Sequence, residues 1–179
     1  MSEFLDQLSD HELALLISGN FSNRTATGTT GTTSPLFDRG VYPVQTADGP
    51  AGLRLRTAAL SFPSGALLAC SWNTALAEEM GAAMAYEAKK HDVDCILGPG
   101  LNIHRDIRCG RNFEYYSEDP FVSGEFASAV VIGMQGEGIS SMAKHYAANN
   151  CEYERLKSNS RVSARALREI YIRAFETVV

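Results

Sequence analysis

The most constraining feature of this sequence is a regular alternation of short apolar runs with longer amphipathic stretches. Apolar runs that predict buried strands lie at 41–47, 66–70, 93–97 and 139–143. Stretches with helical spacing of their apolar residues lie at 74–91, 120–136 and 167–179. Because strands and helices alternate, the sequence predicts an α/β fold in which a parallel sheet is covered by helices.

Capping signals predict where two helices begin. Ser9 and Glu12 have the spacing of a capping box and predict that a first helix begins there. Asp119 is predicted to be an N-cap, with Pro120 at the first helical position. Residues 22–34 are small and polar and cannot bury enough surface to order themselves, so they predict a mobile loop.

Two closures of the parallel sheet are compatible with this pattern: an open doubly wound sheet and a (β/α)₈ barrel. A complete barrel needs ~250 residues, so 179 residues hold about four β/α units. The second closure is therefore a partial (β/α)₈ TIM-barrel-like domain, roughly the first half of the barrel. Half a barrel has unpaired strand edges, which predict self-association or a need for missing domains of the same protein.

Charge and hydropathy exclude two kinds of partner. The formal net charge is −5, which disfavours general binding to nucleic-acid phosphates. No apolar run approaches the ~20 residues that span a bilayer, so no membrane partner is expected. The acidic first ten residues lack the basic and apolar pattern of a signal peptide, which predicts a cytoplasmic protein.

The cysteines and histidines do not have the spacing of a metal site or a disulfide framework. No Cys-x-x-Cys pair is present, and we interpret the cysteines as buried or half-buried free thiols. The four histidines lack ligand spacing, so neither a metal nor another cofactor is expected. The cysteines are Cys70, Cys95, Cys109 and Cys151.

Polar side chains capable of chemistry cluster directly after the predicted strands. In parallel α/β folds these segments open on one face, where ligands bind. Carboxylates that accept and cations that donate suit the adjacent hydroxyls of a sugar. A phosphate-binding glycine loop is not found, so a sugar is favoured, with a sugar-phosphate enzyme on an open sheet as an alternative. The cluster comprises Asp48, Arg54, Asn102, His104, Arg105, Arg111, Asn112, Glu114, Lys144, His145, Asn149, Asn150 and Arg155.

Several of these residues also have a purely structural alternative. Asp48 precedes Gly-Pro and could cap a turn. Arg111 and Glu114 could form a structural ion pair in a long loop. Lys144 follows an apolar strand, where a buried ammonium needs a partner. Packing is expected for Tyr115, Tyr116 and Trp72, and solvent exposure for Arg105 and Arg108.

Five stretches carry a resemblance to a known family. They are TADGPAGLR (46–54), FPSGALLACSWN (62–73), LGPGLNIHRDIRCGRNFEYYSEDP (97–120), AKHYAANNCEYER (143–155) and RVSARALREIYIRAFE (161–176). In this order they resemble the N-terminal domain of glycoside hydrolase family 3, the β-glucosidase- and β-xylosidase-like enzymes. The chain is accordingly divided into an N-terminal helix and Ser/Thr/Gly-rich loop (1–40) and a partial family 3 barrel domain (41–179).

The resemblance implies a retaining glycoside hydrolase acting on β-linked glucosides or related sugars. It places the aspartate nucleophile in a later Ser-Asp-Trp/Tyr-type motif and the acid/base residue in another domain, and retaining hydrolysis needs both. We therefore expect a fragment of such an enzyme that is inactive alone and has no catalytic residue of its own. The alternative is a non-catalytic sugar-binding or regulatory protein on a half barrel. The implied substrate-binding residues are Asp48, Arg54, Arg111, Lys144, His145 and Arg155.

Overall fold

A mixed sheet forms the centre of the structure, a computed structural model that describes residues 2–20 and 30–179. Its strands are β1 (Gly19–Asn20), β2 (Gly31–Thr33), β3 (Gln45–Asp48), β4 (Cys95–Leu97) and β5 (Ser140–Ser141), in that spatial order. As predicted, β3, β4 and β5 are parallel neighbours. The strands β1 and β2 add to the β3 side as antiparallel neighbours.

Helices connect the parallel strands and cover the sheet. They are α1 (Ser2–Leu5), α2 (Asp10–Ile17), α3 (Gly65–Ala69), α4 (Thr74–Lys90), α5 (Pro120–Gly136), α6 (Ala164–Ala166) and α7 (Arg173–Val178). A π-helical segment, Leu167–Tyr171, lies between α6 and α7, and 3₁₀ turns occur at Phe37–Arg39 and Asn112–Glu114. Within the described ranges, no helix is both long and apolar enough to span a membrane.

Both predicted helix starts are confirmed by their capping hydrogen bonds. At the start of α2, the Ser9 amide donates to the Glu12 carboxylate at 2.8 Å, and the Glu12 amide donates to Ser9 Oγ at 3.3 Å. At the start of α5, the Phe121 amide donates to Asp119 Oδ1 at 2.8 Å. Each cap satisfies backbone donors that would otherwise lack a helical partner.

The core lies between the sheet and the pair of long helices, α4 and α5. Met84 of α4 and Met134 of α5 are fully buried, together with Ala47 of β3 and Ile96 of β4. The two helices approach so closely that a Cβ added at Gly133 would lie 2.1 Å from the backbone oxygen of Glu78. This apolar contact fixes the helices against the sheet and so fixes where the strands end.

The structure corrects several local predictions. Residues 66–69 lie in helix α3 rather than a strand, and Cys70 is its C-cap, because Ser64 is an N-cap whose hydroxyl accepts from the Leu67 amide at 3.4 Å. Trp72 is 79% exposed rather than part of the core. Residues 31–33, predicted within a mobile loop, form β2, and residues 22–29 of that loop lie outside the described residues.

One side of the sheet remains uncovered at β5. The groove beside this strand has a volume of about 750 Å³ and is lined mainly by apolar side chains of α5, α7 and the segment after β5. Met142 and Tyr146 in this groove are 52% and 76% exposed. The sheet therefore has an open edge on the β5 side. The three parallel strands end at one rim, since β3, β4 and β5 pair in parallel.

Candidate functional site

The first part of the site lies where β3 and the segment after β5 meet. Asp48 ends β3 and pairs in register with Leu97 of β4, and Lys144 forms a parallel bridge with Gly100 just beyond β4. Both side chains therefore reach the same rim, where the Lys144 ammonium donates to Asp48 Oδ1. Arg54 faces the other carboxylate oxygen, and its Nε lies 3.8 Å from Asp48 Oδ2. The lysine that needed a partner has one.

The second part of the site is a set of ion pairs from the segments after β4 and β5. The Arg111 Nε donates to Glu114 Oε1, and the Glu114 side chain is only 5% exposed. The Arg155 Nη1 donates to Glu152 Oε2 at 3.1 Å, and Arg111 Nη1 lies 4.0 Å from Glu152 Oε1. Glu152 thus lies between the two guanidinium groups and fixes their spacing.

His145 lies between these two parts, in a shell of hydrogen bonds. Its backbone amide donates to Asn102 Oδ1 at 2.8 Å, and Asn102 Nδ2 donates back to the His145 carbonyl at 2.9 Å. His145 Nδ1 is 3.1 Å from both Asn102 Oδ1 and the Tyr115 hydroxyl. The Tyr115 hydroxyl donates to the Asn149 carbonyl at 3.4 Å, so the network assigns the imidazole proton to Nδ1.

Burial and neighbouring cations keep this imidazole neutral. The pKa of His145 is lowered to about 4, first by burial and then by the charges of Arg111 and Lys144. Burial also raises the pKa of Tyr115 to about 12, so its hydroxyl stays protonated. With Nδ1 protonated, the neutral ring keeps Nε2 as a hydrogen-bond acceptor.

The structure brings all six sequence-predicted residues into one region, which we call the polar rim. A cavity of about 370 Å³ is lined by Asp48, Arg54, Arg111, Phe113, Glu114 and Arg155. Lys144 joins it through Asp48, and His145 is adjacent to Lys144. The polar rim comprises Asp48, Arg54, Arg111, Glu114, Lys144, His145, Glu152 and Arg155.

Two members of the site were missed by the sequence interpretation. Glu152 was not selected, although its spacing of three residues before Arg155 is a signal for a local ion pair. Phe113, which is 49% exposed and lines the cavity, was not selected either. A single exposed aromatic residue within a polar loop has no periodicity, so no sequence signal could identify it.

The structural alternatives are resolved by the contacts. Arg111 and Glu114 do form an ion pair, and both also line the cavity. Tyr115 and Tyr116 are buried as expected, at 0% and 5% exposure. Arg105 and Arg108 are exposed as expected, and Arg108 pairs with Asp106 at 2.8 Å.

A parallel β/α sheet with a polar cavity at the carboxyl ends of its strands defines a TIM-barrel-like domain with a ligand site at the usual face. Residues 8–179 match the family model described as the glycosyl hydrolase family 3 N terminal domain. The chain belongs to this family, which confirms the resemblance found in the sequence.

Similar proteins support the same assignment and are much longer than this chain. The chain is 45% identical to beta-glucosidase A of Butyrivibrio fibrisolvens over 183 residues, covering 100% of this chain and 22% of that protein. It is 44% identical over 154 residues to an exo-alpha-(1->6)-L-arabinopyranosidase of Bifidobacterium longum, covering 79% and 20%. Beta-glucosidase 3B from Thermotoga neapolitana, solved in complex with glucose, superposes with a TM-score of 0.94 at 43% identity, covering 99% and 27%.

Proposed function

We propose that this chain supplies part of the sugar-binding subsite of a retaining β-glucosidase-like glycoside hydrolase. The observation that carries the proposal is the meeting of Asp48, Lys144, Arg111 and Arg155 around one polar cavity. These groups come from segments after three different parallel strands, which is the arrangement of ligand sites in β/α barrels.

The chemistry of the polar rim suits the edge of a pyranose. The Asp48 carboxylate has acceptor positions beyond its bond to Lys144, so it can accept from neighbouring sugar hydroxyls. Arg111 and Arg155 donate through planar guanidinium groups, and His145 Nε2 accepts. Because each cation already has an anionic partner, the rim fits a neutral polyol better than a phosphate.

Asp48 is proposed as a hydroxyl ligand and not as the nucleophile. Its carboxylate is held by Lys144 and lies near Arg54, and a retaining enzyme needs a second carboxyl about 5–5.5 Å from the nucleophile, across the bond to be broken. The chain spans about a fifth of the curated relatives it matches. We therefore assign both catalytic carboxyls to regions of the longer enzyme outside these 179 residues.

We propose a class of sugar, a pyranose, rather than one particular sugar. One relative is a beta-glucosidase, another is an arabinopyranosidase, and the structural neighbour holds glucose. Glucose and arabinopyranose share a ring with adjacent equatorial or axial hydroxyls that a carboxylate and cations can read. Glucose is therefore the appropriate first probe for this site.

The test is an NMR titration of the 179-residue chain with glucose. We expect saturable shifts in the wild type and at least about tenfold weaker binding in Asp48→Asn, because the neutral amide replaces an acceptor with a donor. The matched control is Asp38→Asn, the same change at an exposed carboxylate outside the polar rim. Equal effects of the two variants would contradict the proposed subsite.

Two further measurements distinguish the alternatives. We expect no release of p-nitrophenol from p-nitrophenyl β-glucoside by the chain alone, and measurable turnover would overturn the assignment of the nucleophile elsewhere. Binding of glucose 6-phosphate without binding of glucose would favour the sugar-phosphate alternative and contradict the proposed function.

A further inference from the structure

A second cavity, separate from the polar cavity, is lined by two cysteines. Its volume is about 510 Å³, and its lining residues come from the segment after β4 and the segment after β5. These residues are Asp106, Arg108, Cys109, Cys151, Glu152 and Tyr153. The proposed sugar-binding role of the polar rim does not use either thiol.

The two cysteines lie on segments that are tied together on both sides of them. On one side, the Ile103 amide donates to Asn150 Oδ1 at 3.2 Å. On the other side, Arg111 Nη1 lies 4.0 Å from Glu152 Oε1. Cys109 falls between the first members of these pairs in the sequence and Cys151 between the second members, so the two cysteines lie on loops that are held together and line one cavity.

The thiols differ in access, which gives them different chemical roles. Cys151 is exposed, whereas Cys109 is only 7% exposed. Cys70 is also exposed, so the prediction that the four cysteines are buried or half-buried is wrong for Cys70 and Cys151. Cys95 is buried, and burial raises the pKa of its thiol. Cys151 and Cys109 are therefore an exposed and a buried thiol that share one cavity.

The surroundings allow the sulfur atoms to approach each other. Residues 153–161, which follow Cys151, are all exposed. Besides local bonds, such as the one from the Lys157 amide to the Glu154 carbonyl at 2.7 Å, Ser160 Oγ donates to the Ala148 carbonyl at 3.1 Å. Few buried apolar contacts hold such a segment, so it can shift at low cost. Arg108 lines the same cavity as Cys151 and is held by Asp106 at 2.8 Å.

We propose that Cys109 and Cys151 form a reversible disulfide when the protein meets a peroxide. The exposed Cys151 sulfur attacks one peroxide oxygen, the O–O bond breaks, and a sulfenic acid forms as water leaves. The Cys109 sulfur then attacks the Cys151 sulfur, the S–S bond forms, and a second water leaves. The two thiols lose two protons and two electrons, and the peroxide is reduced to two waters.

The disulfide would act on the polar rim through Glu152, a consequence that rests on the proposed function. Glu152 directly follows Cys151 and accepts from Arg155 at 3.1 Å and from Asn149 Nδ2 at 2.9 Å. Drawing Cys151 toward the buried Cys109 moves this carboxylate away from its present partners. We expect the oxidised protein to bind glucose about fivefold more weakly, within the usual range of coupling between sites.

The test is to oxidise the chain with equimolar hydrogen peroxide, alkylate the remaining thiols under denaturing conditions and map the peptides by mass spectrometry. We expect a Cys109–Cys151 cross-linked peptide that is lighter by two hydrogen masses and disappears on reduction. The variant Cys70→Ser should keep the cross-link, whereas Cys151→Ser should lose it. A wild-type protein whose Cys109 remains alkylated, or whose cross-links join Cys70 or different molecules, would overturn the proposal.

Glucose titration of the oxidised and reduced forms tests the consequence separately. Unchanged glucose affinity in a protein with the mapped cross-link would refute the link to the polar rim. Loss of all glucose binding even in the reduced protein would instead refute the proposed function. The peptide map does not depend on sugar binding, so these failures are distinguishable.

Discussion

The paired helices α4 and α5 and the polar rim are held together by different forces. The helices are joined by close apolar contact, and an added Cβ at Gly81 or Gly133 would lie 2.2 Å or 2.1 Å from a backbone oxygen of the other helix. The polar rim is joined by ion pairs between side chains that range from 5% to 68% exposed. Packing at this density tolerates no added volume, whereas exposed ion pairs contribute little to stability.

Stability and ligand binding therefore depend on different parts of this domain. The helix pair fixes the ends of the parallel strands, and those ends place Asp48 and Lys144 at one rim. Substitutions in the helices should therefore lower stability, and substitutions in the rim should mainly lower binding. Glu114 is buried and His145 is partly buried, so substitutions at these two rim residues can also lower stability.

The largest effect is expected where the helices touch. The substitution Gly133→Ala places a methyl group 2.1 Å from the Glu78 oxygen, so α4 and α5 must separate. We expect a loss of about 3 kcal/mol in the free energy of unfolding, measured as a shift in the urea midpoint.

The matched control is Gly136→Ala, at the end of the same helix. An added Cβ there meets nothing within 4 Å, so alanine should be neutral or stabilise by less than about 1 kcal/mol. Equal midpoints for the two variants would show that the helices are less tightly packed than the structure has them.

The long helices were predictable from the sequence because local signals and packing agree there. The apolar period and the Asp119 cap place α5 within one residue of its observed start. The run at 66–70 failed because five apolar residues fit a strand or a buried helix equally well, and the Ser64 cap decides the outcome. The strand β2 was missed because its pairing with β3 is a tertiary contact that small polar residues do not signal.

The polar rim was predictable in part, because the ends of parallel strands are predictable. Asp48 and Lys144 were located from their positions after strands, and their contact confirms that inference. The resemblance narrowed the wider polar cluster to six residues. The position of Glu152 between Arg111 and Arg155 could not be predicted, since it depends on how two distant loops meet.

An intermediate effect is expected at the Arg111–Glu114 pair, where the rim is most buried. The variant Glu114→Gln removes the nearer of the two carboxylates beside the Arg111 guanidinium, which is 20% exposed, and leaves only Glu152, 4.0 Å away. We expect a loss of about 2 kcal/mol in unfolding free energy, since the variant loses a charge-assisted hydrogen bond in a poorly hydrated site. Chemical denaturation measures this change.

The control for this pair is Glu169→Gln, which removes the charged partner of Arg165 on the protein surface. The two side chains there are 59% and 84% exposed, so the loss should stay below about 0.5 kcal/mol. If Glu114→Gln were as mild as this control, stability would reside in the helices alone and the division between the two regions would be complete.

The smallest effect is expected from the protonation of His145. Its pKa is near 6.5 when unfolded and is lowered to about 4 in the fold by burial and by Arg111 and Lys144. As pH falls below about 6.5, the unfolded chain binds a proton that the folded protein does not, so stability falls with pH until about 4. Allowing for partial exposure, we expect a loss of about 1 kcal/mol between pH 6.5 and about 5.

The measurement compares urea midpoints of the wild type and His145→Gln across this pH range. The variant should lack the decline, because glutamine does not titrate. Glu12 and Asp106 also have a pKa lowered to about 2, from ordinary values of 4.5 and 3.8, so their contributions are lost only at lower pH. Parallel pH profiles for the two proteins would place His145 in a hydrated setting, and the rim would then contribute to stability only through Glu114.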